Sequence, residues 1–196
     1  MVAQGIGLVS RKVVCVLKRS DDYDFDYVDK IERGLGKFLP GFELETITDP
    51  PWPRWWSKIA MFAPEVTGDF LYLDLDTVIV GKIDDLFTGK LTVLADFNLP
   101  KPKFMATGVM FVPEADREEI WRNWIADPEY HMRKHGGNGD GGFLSQFWKH
   151  KAARWQEELP GKIVSYKVHW RKGEGRDASV VCFHGKPRPR DLNWSI

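Results

Sequence analysis

Phe70-Leu71-Tyr72-Leu73-Asp74-Leu75-Asp76-Thr77-Val78-Ile79-Val80 sets two aspartates, one residue apart, between an apolar run and a β-branched one. Strand side chains alternate faces with a period of two, so in extended backbone Asp74 and Asp76 point the same way. The apolar lead-in has the composition of a strand buried in a parallel or mixed sheet, and ligands of such sheets sit at the carboxyl ends of the strands. Two carboxylates side by side in a half-buried place repel one another, and a hard divalent cation between them relieves this. The stretch therefore predicts a metal site at a strand end, one that holds a phosphate-bearing ligand. Asp-X-Asp also occurs in turns, where Asp bonds its own backbone. A place at the end of a central strand favours the metal.

Length and composition bound the rest. The 196 residues suit one α/β domain, large enough to bury a core without disulfides. Lys and Arg match Asp and Glu, 28 against 28, which argues against nucleic acid or a polybasic membrane anchor as the main partner. Cys15 and Cys182 each lie in an apolar run with no metal-ligand spacing, so both are expected buried and reduced, as in a cytoplasmic protein. No apolar run reaches the length of a bilayer span. Residues 1–10 are too short and uncharged for a secretory signal, and residues 1–11 are expected to form a loose start. Three of the nine tryptophans, Trp52, Trp55 and Trp56, crowd one short stretch, where they serve as core or as stacking surfaces for a ligand.

Taken in order, residues 13–17 form a first buried strand and residues 18–26 a polar loop. Val28, Ile31, Leu35, Phe38 and Leu39 then recur at helical spacing, and Pro40-Gly41 closes the helix. Residues 44–47 make a second strand, completing a β-α-β opening typical of nucleotide-binding α/β domains. Pro50-Pro51-Trp52-Pro53 is a stiff connector, and residues 55–62, carrying Ser57 and Lys58, a short helix stopped by Pro64. After the Asp-Leu-Asp stretch come a helical turn at 83–87, a strand at 91–95 ending on Asp96, a proline-bearing loop at 98–104 and a strand at 107–112. A charged helical region follows, with Ile120, Trp121, Trp124 and Ile125 on one face. Residues 135–142, five of them glycine, read as a loop that no regular element can contain, with a helix resuming over 143–150. Strands at 162–168 and 179–183 precede a basic, proline-stiffened tail, His184-Gly185-Lys186-Pro187-Arg188-Pro189-Arg190.

That tail supplies what the acidic pair lacks. A neutral His184 imidazole suits manganese, which accepts nitrogen as well as oxygen. Lys186, Arg188 and Arg190 can neutralise phosphate oxygens, although the same run also reads as a solvated basic terminus. A metal on one side and cations on the other would stabilise a departing diphosphate.

Residues 71–80, followed by Ile83-Asp84-Asp85-Leu86-Phe87, resemble the metal-binding block of family 8 glycosyltransferases, the group of glycogenin and bacterial galactosyltransferases. Trp56-Ser57-Lys58, Thr107-Gly108-Val109-Met110 and Phe183-His184-Gly185-Lys186-Pro187 resemble further family segments in the same order, over roughly residues 12–190. The resemblance implies a GT-A fold, a mixed central sheet flanked by helices. It implies a nucleotide-sugar donor, most often a UDP-sugar, a Mn2+ (or Mg2+) ion, and transfer of a hexose with retention to a glycan, lipid or protein acceptor. By position it makes Asp74, Asp76 and His184 the metal ligands. It places Lys58 on the donor and Lys186 at its phosphates, and makes Asp96 and Asp140, near the donor sugar, the candidate catalytic residues. Gly185 and Arg188 beside Lys186 are further donor-binding candidates, and Tyr23, in the loop after the first strand, reads as a stacking surface for the base or as a surface tyrosine.

The departures are specific. Ala106 stands where the family usually has Asn, Gly141 where Gly-Asp-Gln has Gln, and Arg190 where it has a final Trp. Loss of the Gln weakens a double-displacement route, whereas a front-face route needs no such side chain. Gly141 and Ala106 also motivate a second reading, an inactive nucleotide-sugar or carbohydrate-binding module of the same fold. A third, a haloacid-dehalogenase-type phosphatase with Asp74 as nucleophile, requires Thr two residues after the second Asp. Here Thr77 follows Asp76 at once and position 78 is Val.

Overall fold

The computed structural model describes residues 11–98 and 105–194. The start at 1–10 and most of the loop at 98–104 lie outside the described residues, while Arg11, expected in a loose start, already belongs to the first strand. The chain runs β1 (Arg11–Leu17), α1 (Phe25–Phe38), β2 (Phe42–Thr48), 3-10 turns over Arg54–Phe62, then β3 (Phe70–Leu73) and β4 (Thr77–Ile79). β5 (Thr92–Ala95), β6 (Met105–Val112), α2 (Glu118–Ala126), α3 (Pro128–Lys134) and α4 (Gly139–Trp148) follow. It continues through β7 (Ala153–Arg154), α5 (Trp155–Glu158), β8 (Ile163–Ser165) and β9 (Val180–Cys182).

The β-α-β opening forms as the periodicity predicts. Asp24 caps α1 by accepting the Asp26 N–H, and Val28, Ile31 and Leu35 bury one face. Gly41, with φ +75°, turns the chain into β2, which runs parallel to β1. The main sheet has the order β2-β1-β3-β6-β5-β7, and it is mixed: β1 is parallel to β2 and β3, and β6 is antiparallel to β3 and β5.

β3 is the central strand, with all four side chains buried. Its alternation sends Leu71 and Leu73 into the core against α1, and Phe70 and Tyr72 into the core against Trp124, Phe143 and Trp148. Each such burial stabilises the fold by about 1.5–3 kcal/mol. The extended backbone then stops. The Asp74 N–H makes the last rung of the ladder, to the Gly108 carbonyl at 2.8 Å, but the Asp74 carbonyl accepts the Thr77 N–H at 3.0 Å, so Asp74-Leu75-Asp76 is a turn rather than a strand. Beyond it β4 belongs to a second sheet, order β4-β9-β8, in which β9 is antiparallel to β4 and parallel to β8.

Three further expectations are corrected. The glycine-rich stretch is helical from Gly139 onward, forming the buried first turn of α4. A Cβ on Gly141 would lie 2.8 Å from the Met105 carbonyl oxygen, and one on Gly139 3.1 Å from the Trp55 ring, so these glycines serve close packing. Ile125 is 52% exposed, leaving Ile120 and Trp124 as the buried residues of α2. The late strand at 162–168 is only Ile163–Ser165, because beyond the last rung, Tyr166 N–H to the Cys182 carbonyl, the Ser165 and Tyr166 carbonyls take the His169 and Arg171 N–H groups and the chain folds back. Cys15 and Cys182 are buried and free. No helix among the described residues is long and apolar enough to cross a membrane.

Candidate active site

The carboxyl ends of β1 and β3, the Asp74–Asp76 turn and the segment after β9 converge on two adjoining cavities. The larger, of about 640 Å3, is walled by Val16, Lys18, Ser20, Tyr23 and Arg188. The smaller, of about 330 Å3, is walled by Asp96, Phe97, Thr107, Asp140 and His184. Trp55, Lys58, Asp74, Asp76 and Gly185 line both and mark the junction.

Lys58, 7% exposed, is the centre of the junction. Its ammonium lies 3.0 Å from Asp74 Oδ1 and 3.1 Å from Asp140 Oδ2, and donates to Thr107 Oγ1 at 3.0 Å. The Thr107 hydroxyl in turn donates a hydrogen bond to Asp140 Oδ2 at 2.5 Å. Burial alone would push the Lys58 pKa down, but Asp140 and Asp74 more than offset it, and the ammonium is held above the ordinary lysine range. Asp74 also accepts the Tyr72 hydroxyl at 2.7 Å, an i, i+2 contact along one face of β3. Burial raises the Asp74 pKa, Lys58 opposes this, and Asp76 and Asp140 add to it. Gly108 leaves the carboxylate room: a Cβ there would meet Asp74 Oδ2 at 3.3 Å.

Asp76, 8% exposed, accepts the Tyr23 hydroxyl and the Gly185 N–H on Oδ2, both at 3.3 Å. His184 sits in left-handed backbone, φ +30°, unusual for a residue with a side chain. Its ring stacks on Phe97 at 6.0 Å, and Nε2 meets Ser165 Oγ at 2.6 Å. Burial and then Lys167 lower its pKa, which favours the neutral imidazole that a metal ligand must be. Two carboxylates and a neutral imidazole on one cavity wall are the donor set manganese takes, so the chemistry fits. Among the described residues, however, no three His, Cys, Asp or Glu side chains converge as a cluster, because His184 is turned to Ser165 and Asp74 to Lys58 and Tyr72. Cys182 also lines the smaller cavity, but burial, then Asp76 and Asp74, raise its pKa and keep it a thiol.

Other expected residues divide. Asp96 lines the smaller cavity, accepting from the Asn98 N–H at 2.7 Å. Lys186 is exposed and lines neither cavity. The basic tail is not a solvated terminus: Arg188 pairs with Asp22 and Arg190 with Asp24, at 3.0 and 3.1 Å. Tyr23 does line the larger cavity, with Arg188 over its ring at 4.2 Å and Tyr27 tilted against it at 5.0 Å, so Arg188 takes the place a stacking base would have on the ring face it covers. Thr107, Tyr72, Phe97 and Ser165 were missed as members of the site. Tyr72 carried a signal in its period-two spacing from Asp74 and Thr107 in the segment Thr107-Gly108-Val109-Met110, whereas Phe97 and Ser165 carried none.

No family model matches the sequence, and no curated protein matches it. Solved structures do. GlyE, a glycosyltransferase of Streptococcus pneumoniae TIGR4, superposes with a TM-score of 0.65 at 14% identity over 96% of this chain, which spans 58% of that one. A glycosyltransferase involved in glycosylation of the major capsid of PBCV-1 gives 0.63 at 12% identity over 94% of this chain and 98% of that one. The galactosyltransferase LgtC, solved with donor and acceptor sugar analogues, gives 0.62 at 11% identity over 91% and 88%. The chain thus has the GT-A-type fold of glycosyltransferases, the α/β architecture with a mixed central sheet that the motifs implied.

Proposed function

We propose that this protein is a metal-dependent glycosyltransferase, one domain over residues 1–196, moving a hexose from a nucleotide sugar, a UDP-sugar in the first instance, to an acceptor with retention. The observation that carries the reading is the pair of unequal cavities meeting at Asp74 and Asp76. A nucleotide sugar is two unlike groups joined by a diphosphate. The larger cavity fits the nucleotide, the smaller one the sugar and its acceptor, and the acidic turn lies where the diphosphate would cross. Asp74, Asp76 and His184 would hold the cation, with His184 released from Ser165. A cation there would neutralise the diphosphate as it leaves.

Lys58 is locked among Asp74, Asp140 and Thr107 as a permanent cation, so its contribution is electrostatic rather than proton transfer. Asp140, fixed by Lys58 and Thr107 on the wall of the sugar cavity, favours the positive charge that develops at the anomeric carbon as its bond to the diphosphate breaks. Its Oδ2 is already committed to two donors, which makes it a poor nucleophile. Gly141 has no room for a side chain against Met105 and supplies none. Both favour front-face transfer, in which the acceptor hydroxyl attacks from the side the diphosphate leaves and gives its proton to a phosphate oxygen.

The same Gly141, with Ala106, is what an inactive binding module would show. Thermal melting against nucleoside diphosphates and nucleotide sugars, with and without manganese, tests the donor, and donor hydrolysis or transfer to an acceptor library tests turnover. A manganese-dependent shift with turnover is the expected result. A shift without turnover would favour the binding module, and no shift at all would refute the donor.

A further inference from the structure

Arg188 is less a surface cation than a wall. Its side chain is 12% exposed, with Nη1 donating to the Asp22 carbonyl and Nη2 to Asp22 Oδ2, both at 3.0 Å, and its N–H donating to Asp191 Oδ2 at 2.8 Å. The guanidinium carbon lies 4.2 Å from the centroid of the Tyr23 ring, and the residue borders the larger cavity. Tyr23 in turn is fixed through its hydroxyl to Asp76.

We propose that the nucleobase of the donor stacks on the Arg188 guanidinium, which is held between the base and Tyr23. This rests on the nucleotide-sugar reading and assigns its base-side residue. Three observations point to it. Arg188 lies over the Tyr23 ring and Tyr27 is tilted against it, so on the covered face a base meets the guanidinium in place of the tyrosine. The charge of Arg188 is already matched by Asp22, which leaves a flat, weakly hydrated cation whose main remaining asset is its plane. The cavity of about 640 Å3 exists with Arg188 in position, within the size range of ligand sites, so the side chain bounds the space instead of filling it. The chain base–Arg188–Tyr23–Asp76 would also set the distance between the base and the acidic turn.

Titration calorimetry on the full chain with UMP, UDP and inorganic diphosphate, each with manganese, tests the assignment on wild type, Arg188→Lys and Arg188→Ala. Lys keeps the ion pair with Asp22 and loses the plane, so it separates stacking from charge and guards against an Ala variant that loosens the fold. The expected result is a loss of about tenfold for both UMP and UDP in Arg188→Lys, with inorganic diphosphate unchanged. A loss that grows from UMP to UDP and extends to diphosphate would make Arg188 a phosphate ligand and overturn the proposal. Tighter UDP binding by Arg188→Ala would also overturn it, by showing that the guanidinium occupies the seat of the base. Failure of the wild type to bind a nucleoside diphosphate of any base would remove the donor reading itself, and this assignment with it.

Discussion

Lys58→Met keeps the length of the side chain and removes the ammonium. Lys58 is 7% exposed and neutralises Asp74 and Asp140 at 3.0 and 3.1 Å, so the variant leaves two facing carboxylates with no cation between them. Removing one partner of a buried ion pair costs about 3–5 kcal/mol. For a chain of this length that is roughly 6–20 °C in melting temperature, at about 2–4 °C per kcal/mol. The cost must depend on pH. Asp74 is already raised by burial with Lys58 opposing it, and without Lys58 it rises further. A carboxylate whose folded pKa lies above its unfolded value binds more protons folded than unfolded. Its stability contribution is therefore full below the unfolded pKa, about 3.9, and is lost as pH rises through the folded value. Urea melts at pH 5.0 and 7.5 should show the variant closer to wild type at the lower pH, and Asp140→Asn in the same background should recover part of the loss. A variant within about 1 kcal/mol of wild type at both pH values would refute the claim that Lys58 holds the junction together.

Asp76→Ala should abolish manganese-dependent donor binding in calorimetry while urea unfolding stays cooperative; unchanged donor affinity would remove Asp76 from the metal site. Gly141→Gln, the residue the family pattern carries, should destabilise by about 1–3 kcal/mol, because its Cβ would sit 2.8 Å from the Met105 carbonyl oxygen. A neutral or stabilising result by denaturant melts would contradict the packing between α4 and β6. His135 is lowered by burial, then by Lys134 and His131, and its Nε2 has no partner. Its contribution to stability is full above the unfolded value of about 6.5 and declines as pH falls from there toward the lowered folded value. His135→Gln should flatten that part of the stability profile, and an unaltered slope between pH 7 and 5 would count against it.

The elements that sequence reading recovered are those whose cause is local. β1, α1 and β2 follow from an apolar run, a helical stripe and a Pro-Gly stop, and β3 from four consecutive buried side chains. What escaped was written elsewhere in the chain. The acidic turn begins where the Asp74 carbonyl takes the Thr77 N–H, while the Asp74 N–H still completes the β3 ladder to Gly108, far along the sequence on β6. The glycines of α4 look locally like a loop, yet Gly141 has no room for a Cβ against the Met105 carbonyl, and Gly139 sits at φ +60° tight against the Trp55 ring. The pairing of Arg188 and Arg190 with aspartates 166 residues away has no sequence signature, since charge runs look alike whether solvated or clasped. Lys58, Asp76 and Asp140 were singled out because family motifs mark them; Thr107, which holds Asp140, lies in such a motif without its role being marked, and Ser165, which holds His184, lies in none.

The break at Asp74–Asp76 has a consequence for biosynthesis. Every strand of the main sheet is encoded by residue 154, whereas β4, strung on the far side of the acidic turn, has no partner until residues 163–182 have been made. A nascent or prematurely stopped chain ending between those points could close its six-stranded layer, yet Val78 and Ile79 would lack the Ile163, Val180 and Val181 side chains that share their core clusters. It would still hold Asp76 with neither the Gly185 N–H nor the His184 ring beside it. Uncovered apolar side chains on β4 and an incomplete acidic turn would then mark the same molecule as unfinished.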